Sequence, residues 1–326
     1  MIQKHQWLPL FVMVFLLCFL PSAVANEYLV LEDDEDIAFS ADENGLFPAQ
    51  CTPIDINATK GYKADSRNYV SNWEYSDPTL RVEIEKDRYL DTDIWIAKVQ
   101  IAHSSQLRGA FASRYGSQVN AVAPTIAKRV NAVIAVSGAN YSYRDFGVVL
   151  QQGRLYRNRP NGGEDVLIID DKGDLHAVIR ADKKSFGDVY MALGGEWDNG
   201  GSMVNALTFG PLLIKDGAYA HEAYSRYSID IGASKPTQRM VIAQTGPLNY
   251  LLVTCEGPES DDSRGLTMHQ MAEYMFLLGC DIAYNLDGGS SSTLVFRDKK
   301  INSPSSGKIR PIADIIYFTT GISDLR

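Results

Sequence analysis

Histidine and cysteine are scarce in this chain of 326 residues, with five of one and four of the other. Past the N-terminal segment, His103, His176, His221 and His269 each stand alone, which argues against a histidine-rich zinc site. Cys51, Cys255 and Cys280 lack any Cys-x-x-Cys spacing and allow at most one disulfide within the chain. Cys255 follows the apolar run Tyr250 to Val253 and Cys280 follows a helical stretch, so both are expected as buried thiols. A basic excess is also missing: 31 Lys and Arg against 40 Asp and Glu give a formal charge of -9 and a pI near 5.1. That balance excludes the broad basic face needed by a nucleic-acid or anionic-lipid partner, although local arginines remain able to bind phosphate. No internal repeat is present.

Long apolar runs are absent but for one. Lys4 and His5 precede the stretch Trp7 to Leu20, which ends in Pro21-Ser22-Ala23-Val24-Ala25. This reads as a secretory signal over residues 1–25 with an Ala-x-Ala cleavage site, shorter than the ~20 residues of a spanning helix. Leu17 before Cys18 is too bulky for a lipoprotein signal. The expectation is an exported protein (periplasmic, envelope or extracellular) with no stable membrane span after cleavage. The remaining ~300 residues are enough to bury a substantial core.

Five contiguous acids, Glu32 to Asp36, open a stretch rich in Gly, Asn and Pro, so residues 26–65 are expected to be an acidic, flexible tether. A single folded domain is expected over residues 66–326. Within it Thr79 to Glu85 alternates cleanly and Asp93 to Ile101 in part, and short strands follow at Ala132 to Val136, Gly147 to Leu150, Asp165 to Ile169, Ala177 to Arg180, Arg239 to Ala243 and Leu248 to Thr254. Helices are predicted at Pro124 to Asn131 and Met268 to Leu278. Many strands with few helices and no regular alternation predict an α+β fold, a mixed β-sheet core with a few flanking helices.

The second helix has a capping-box start, Thr267 with Gln270, and a stop at Gly279. Its apolar stripe is Met268, Met271, Ala272, Met275 and Phe276. Next comes a strand, Asp281 to Asp287, whose period of two puts Ile282, Tyr284 and Leu286 on one face and Asn285 and Asp287 on the other. Gly288 and Gly289 then allow a tight turn with exposed N–H groups, and Ser290, Ser291, Ser292 and Thr293 add neutral donors. An Asp-Gly hairpin would explain the glycines but not the run of hydroxyls. A serine nucleophile would need an elbow or a histidine partner, and neither is in evidence.

The nine residues Asn285 to Thr293 resemble the signature of the phosphodiester glycosidase family, and the resemblance extends over roughly residues 90 to 320. Arg264-Gly265-Leu266-Thr267 and the helix after it are similar to the family's lead into that signature. Arg239 stands where the family has an arginine opening a strand, and Glu256-Gly257 resembles its acid plus glycine. Thr208-Phe209-Gly210-Pro211 with Lys215-Asp216-Gly217 resembles its Gly-Pro and Asp-Gly hairpin, and Arg310 its arginine before the last strand. Ser137-Gly138-Ala139-Asn140-Tyr141 departs from the family's Asn-Gly, and Ser290 replaces a third glycine.

The resemblance implies hydrolysis of a sugar-1-phosphodiester, or a phosphorylated glycan carrying one, at its glycosidic C–O bond. Free sugar and a phosphomonoester would result. Asp287 is the first candidate catalytic carboxylate and Glu256 the second. Arg239 and Arg310 are candidates for the phosphate, since a guanidinium fork suits two phosphate oxygens. Asn285, Gly288, Gly289, Ser291, Thr293, Gly210 and Asn140 are the remaining candidate substrate contacts. No cofactor is identified, and a divalent-metal requirement stays open. The alternatives are a P–O-cleaving phosphodiesterase and a non-catalytic phosphoglycan-binding protein of exopolysaccharide assembly.

Overall fold

A computed structural model describes residues 41–194, 202–220, 233–258, 260, 262–303 and 308–323. The expected signal segment, the acidic run Glu32 to Asp36 and His221 lie outside the described residues. None of the described helices is long and apolar enough to cross a membrane.

Among the described residues, three antiparallel sheets form the α+β fold. The largest has eight strands in the spatial order Glu74–Asp77, Leu80–Tyr89, Thr92–Ile101, Asn249–Cys255, Met240–Gly246, Ile282–Leu286, Leu212–Lys215 and Ala218–Tyr219. Its long hairpin shows how local sequence sets register. Leu80 and Val82 alternate inward with exposed Arg81, and the chain reverses at Leu90 and Asp91, which have φ of 47° and 56°. Two positive φ values in a two-residue loop match the right-handed twist of the flanking strands and pair Tyr89 with Thr92.

The second sheet runs Arg154–Arg159, Gly147–Gln151, Met203–Thr208, Val166–Asp170, Leu175–Val178. The third runs Lys299–Lys300, Leu294–Phe296, Ile134–Ser137, Asp314–Phe318, Leu107–Phe111. The helix Ala123–Arg129 packs Ile126 and Ala127 against Ile312 and against Ile315 and Tyr317 of the third sheet. A helix absent from the sequence prediction, Lys183–Ala192, packs Phe186 and Tyr190 onto Val148 and Ile168 of the second.

The predicted helix before the signature spans Met268–Leu277, with the Thr267 and Gln270 capping box formed and Gly279 at φ 72° beyond its end. Its stripe differs at one position: Phe276 is 43% exposed and stacks on Tyr219, while Tyr274 is buried and its hydroxyl donates to Asp87 Oδ2 at 2.6 Å. The helix covers one face of the big sheet. Ala283 packs in the cluster with Met271 and Met275, whereas Ile282, Tyr284 and Leu286 enter the larger core on the other face. The strand Ile282–Leu286 is thus buried on both sides, and the signature leaves it from a fixed position.

The second half of the expected tether is corrected by the structure, because residues 41–65 lie on the domain. Leu46 and Ile54 are buried, contributing on the order of 1.5–3 kcal/mol each. The buried Arg108 guanidinium donates to the carbonyls of Asp55, Ile56 and Ala58, and Thr52 N donates to Gly321 O at 2.8 Å. Cys51, Cys255 and Cys280 are free thiols; the latter two are buried as expected.

Candidate active site

Three hydrogen bonds hold the signature turn. Asp287 N donates to Gly138 O at 3.0 Å, and Ser137 Oγ donates to Asp287 O at 2.9 Å. Gly289 N donates to Gln238 O at 3.0 Å. That carbonyl explains Gly288, since a Cβ there would stand 2.7 Å from Gln238 O. Gly289 has φ of 56°, which favours glycine. Ser137 is fully buried and braces the turn.

Beside this turn opens a cleft of about 330 Å³ lined by Asn140, Arg144, Arg239, Asn285, Asp287 and Arg310, with Gly288, Gly289, Tyr143 and Phe209 among its other walls. All three sheets contribute. Asp287 leaves the big sheet, Asn140 follows a strand of the third, and Phe209 and Arg144 flank strands of the second. Asn285 is fixed by its Nδ2, which donates to Gly210 O at 2.7 Å, while Gly210 N donates to Asn285 O at 3.2 Å. Gly210 therefore acts through Asn285. Asn285 Oδ1 and Asp287 Oδ2 are buried without a hydrogen-bond partner among the described residues.

Asp287 lines the cleft, yet its Oδ2 is shielded from solvent. Loss of hydration disfavours the charged carboxylate and pushes its pKa up to about 6. The nearby Ser291 and Asn140 side chains and the positive charges of Arg310 and Arg144 pull the other way, although no bond of ordinary geometry reaches Oδ2.

Two residues of this neighbourhood escaped the sequence reading. Arg144 pairs with Glu164 at 3.2 Å and lies over the rings of Phe146 and Phe209 at 5.3 and 5.8 Å. Asp314 accepts from the backbone N–H groups of Ala139 at 3.1 Å and Asn140 at 2.9 Å, so it positions the loop that carries Asn140, a residue with φ of 50°. Burial chiefly, with the Asp287 charge adding to it, pushes Asp314 up to about 6.

Arg239 and Arg310 do reach the cleft, in different states. Arg239 is buried and donates from Nε to Leu266 O at 3.1 Å and from Nη2 to Lys235 O at 2.8 Å. Burial lowers its pKa to about 10, so it stays cationic at neutral pH. Arg310 is exposed, its backbone N–H donating to Ser290 O at 3.4 Å.

Three expectations need correction. Glu256 does not line the cleft: Trp95 Nε1 donates to Oε1 at 2.9 Å, and Ser303 N donates to both oxygens at 2.9 and 3.0 Å. Its carboxylate braces the end of the sheet. Ser291 and Thr293 are fully buried and also absent from the cleft lining. The hydroxyl run is mainly internal: Ser292 Oγ donates to Arg239 O at 3.2 Å and lies 2.7 Å from Thr254 Oγ1. No group of three or more His, Cys, Asp or Glu side chains suited to a metal ion occurs among the described residues.

The sequence profile of the phosphodiester glycosidase family matches residues 130–319, which hold the turn, the cleft arginines and Asp314. The chain belongs to the phosphodiester glycosidase family. A prophage-derived uncharacterized protein of Bacillus subtilis strain 168, YomE, is 23% identical over 258 residues. That alignment takes in 73% of this chain but only 38% of YomE. Among solved structures, the catalytic domain of zebrafish N-acetylglucosamine-1-phosphodiester alpha-N-acetylglucosaminidase, auto-inhibited by its pro-peptide, superposes with a TM-score of 0.61 at 16% identity, over 80% of this chain and 87% of that one. A hypothetical protein from Synechocystis gives 0.54 at 14% identity, over 76% and 64%. At these identities the likeness establishes the phosphodiester glycosidase fold alone.

Proposed function

We propose that the cleft hydrolyses the glycosidic C–O bond of a sugar-1-phosphodiester in an envelope or extracellular glycan, releasing free sugar and a phosphomonoester. The observation that carries this reading is the cleft's charge pattern, one carboxylate facing three guanidinium groups. A glycosidase that expels an alkoxide needs a second carboxyl group to protonate it. A phosphodiester leaves as a phosphomonoester, already a good leaving group, whose extra negative charge is met by cations. Arg144, Arg239 and Arg310 supply them, while Tyr143 and Phe209 offer apolar faces to the sugar ring.

Asp287 stabilises the oxocarbenium-like transition state and accepts a proton from the attacking water. A base with pKa about 6 suits that task at neutral pH. The bond from the anomeric carbon to the phosphate oxygen breaks, water supplies the new C–O bond, and the phosphate departs with the electron pair. Since the ionised form acts, kcat/KM should fall about tenfold per unit below pH 6. Export rests on the signal-like residues 1–25.

The decisive experiment is product analysis in ¹⁸O-labelled water on a panel of sugar-1-phosphodiesters. Label in the free sugar supports the reading. Sugar-1-phosphate among the products, with label in phosphate, would establish P–O cleavage in its place. Binding without turnover, unchanged in Asp287→Asn, would establish a phosphoglycan-binding protein.

A further inference from the structure

A second concavity, of about 770 Å³, lies outside the cleft. Lys60, Arg129 and Arg154 line it and no aspartate or glutamate does, although the chain has 40 acidic residues against 31 basic ones. None of the three forms an ion pair among the described residues. Arg129 instead caps the carbonyls of Phe111 and Ala112, and Arg154 lies over the Tyr156 ring at 5.1 Å. Asp55, close by in sequence, is occupied in capping Asn57 N at 2.8 Å. An uncompensated cationic groove with aromatic walls, Phe111 and Tyr156, on an acidic protein is a surface built for an anionic, ring-bearing ligand.

The groove is joined to the cleft through the edge strand Arg154–Arg159. Val149 faces Arg157 and Leu150 faces Leu155, so Tyr156 is the extra residue of a bulge. Arg157 Nη1 donates to Tyr141 O at 3.1 Å and Arg144 O at 2.5 Å, tying this strand to the loop that lines the cleft. Tyr156 meets Phe111 and Tyr115 at 5.2 and 4.9 Å, and Tyr115 stacks on Tyr141 at 5.3 Å. A ridge of aromatic rings therefore runs from the groove to the loop 139–144.

We propose that this groove holds a neighbouring repeat of a phosphodiester-linked polyanionic glycan whose reacting unit occupies the cleft. The inference rests on the reading of the cleft given above and deepens it, making the substrate a polymer of sugar phosphates. Phosphates lie against Lys60 and Arg154, and a sugar ring lies against Tyr156.

The test is calorimetric, on Asp287→Asn so that no turnover intervenes. Long-chain poly(N-acetylglucosamine 1-phosphate) is compared with the methyl diester of its single repeat. Adding Lys60→Ala and Arg154→Ala should weaken polymer binding on the order of tenfold and shift the single-repeat compound by less than about twofold. Arg67→Ala, which removes an exposed cation paired with Asp65 elsewhere, should change neither. Unchanged polymer affinity in the groove variant, equal loss on both compounds, or equal loss in Arg67→Ala would each overturn the proposal. Wild-type protein that releases no sugar yet keeps this groove-dependent binding would refute the hydrolase reading and leave the groove standing.

Discussion

Replacing Asp287 with asparagine should abolish turnover and at the same time stabilise the fold. In the unfolded chain this carboxyl titrates near 3.8, and in the cleft at about 6. Between those values the folded state binds the extra proton, so stability falls as pH rises through the window and the full penalty is present at pH 7. A difference of about two units at 1.36 kcal/mol each is about 3 kcal/mol. The new amide needs an acceptor of its own where Oδ2 now has no partner, which trims the expected gain to about 2 kcal/mol. Urea unfolding of both proteins at pH 7 and pH 4 checks the sign. The variant should be more stable at pH 7 and the advantage should shrink at pH 4, where the native carboxyl is protonated. An Asp287→Asn protein that is less stable at pH 7, or whose advantage does not change with pH, would refute the assignment of a desolvated, catalytically poised carboxylate.

Arg310→Ala should lower kcat/KM on the phosphodiester on the order of tenfold to a hundredfold while sparing an uncharged aryl glycoside of the same sugar; equal loss on both would remove it from the phosphate site. Arg239→Ala should lose stability as well, roughly 1–3 kcal/mol by thermal or urea unfolding, because the carbonyls of Leu266 and Lys235 lose their donor. Glu256→Gln should keep turnover within about threefold of wild type, since its carboxylate braces Trp95 and Ser303; a loss of two orders of magnitude would return it to the chemistry. Asp314→Ala removes the acceptor of the Ala139 and Asn140 backbone N–H groups, so kcat/KM should fall on the order of tenfold as the loop that carries Asn140 loosens. An unchanged kcat/KM would show that the loop keeps its place without that carboxylate.

The parts of the site that were legible in sequence are those made within one stretch of chain. The capped helix, the alternating strand and the Gly288-Gly289 turn follow from local periodicity and turn chemistry, and all three are in place. Glu256 misled because an acid beside glycine at a strand end looks the same whether it faces ligand or structure; the deciding partner, Trp95, lies 161 residues away. Arg144 had only the adjoining Asn140-Tyr141-Ser142-Tyr143 as a signal. Asp314 did carry one, a carboxylate inside the apolar run Ile312 to Ile316, and such a residue is seldom placed there without a task. The helix Lys183–Ala192 hides its period behind Gly187, but its Asp182 and Ser185 capping box was readable. Leu46 and Ile54 gave no warning that residues 41–65 are laid down, because single apolar residues show no period.

The placement of the cleft where three sheets converge has a consequence for energetics. A ligand there touches the ends of strands from all three sheets, so its binding energy is shared among them. Occupancy should slow amide exchange in strands far apart in sequence, Ile134–Ser137, Met203–Thr208 and Ile282–Leu286 together, while the hairpin Leu80–Ile101 exchanges as before. The bound ligand would then serve as a keystone for the domain, and the empty protein would be the form most open to proteolysis.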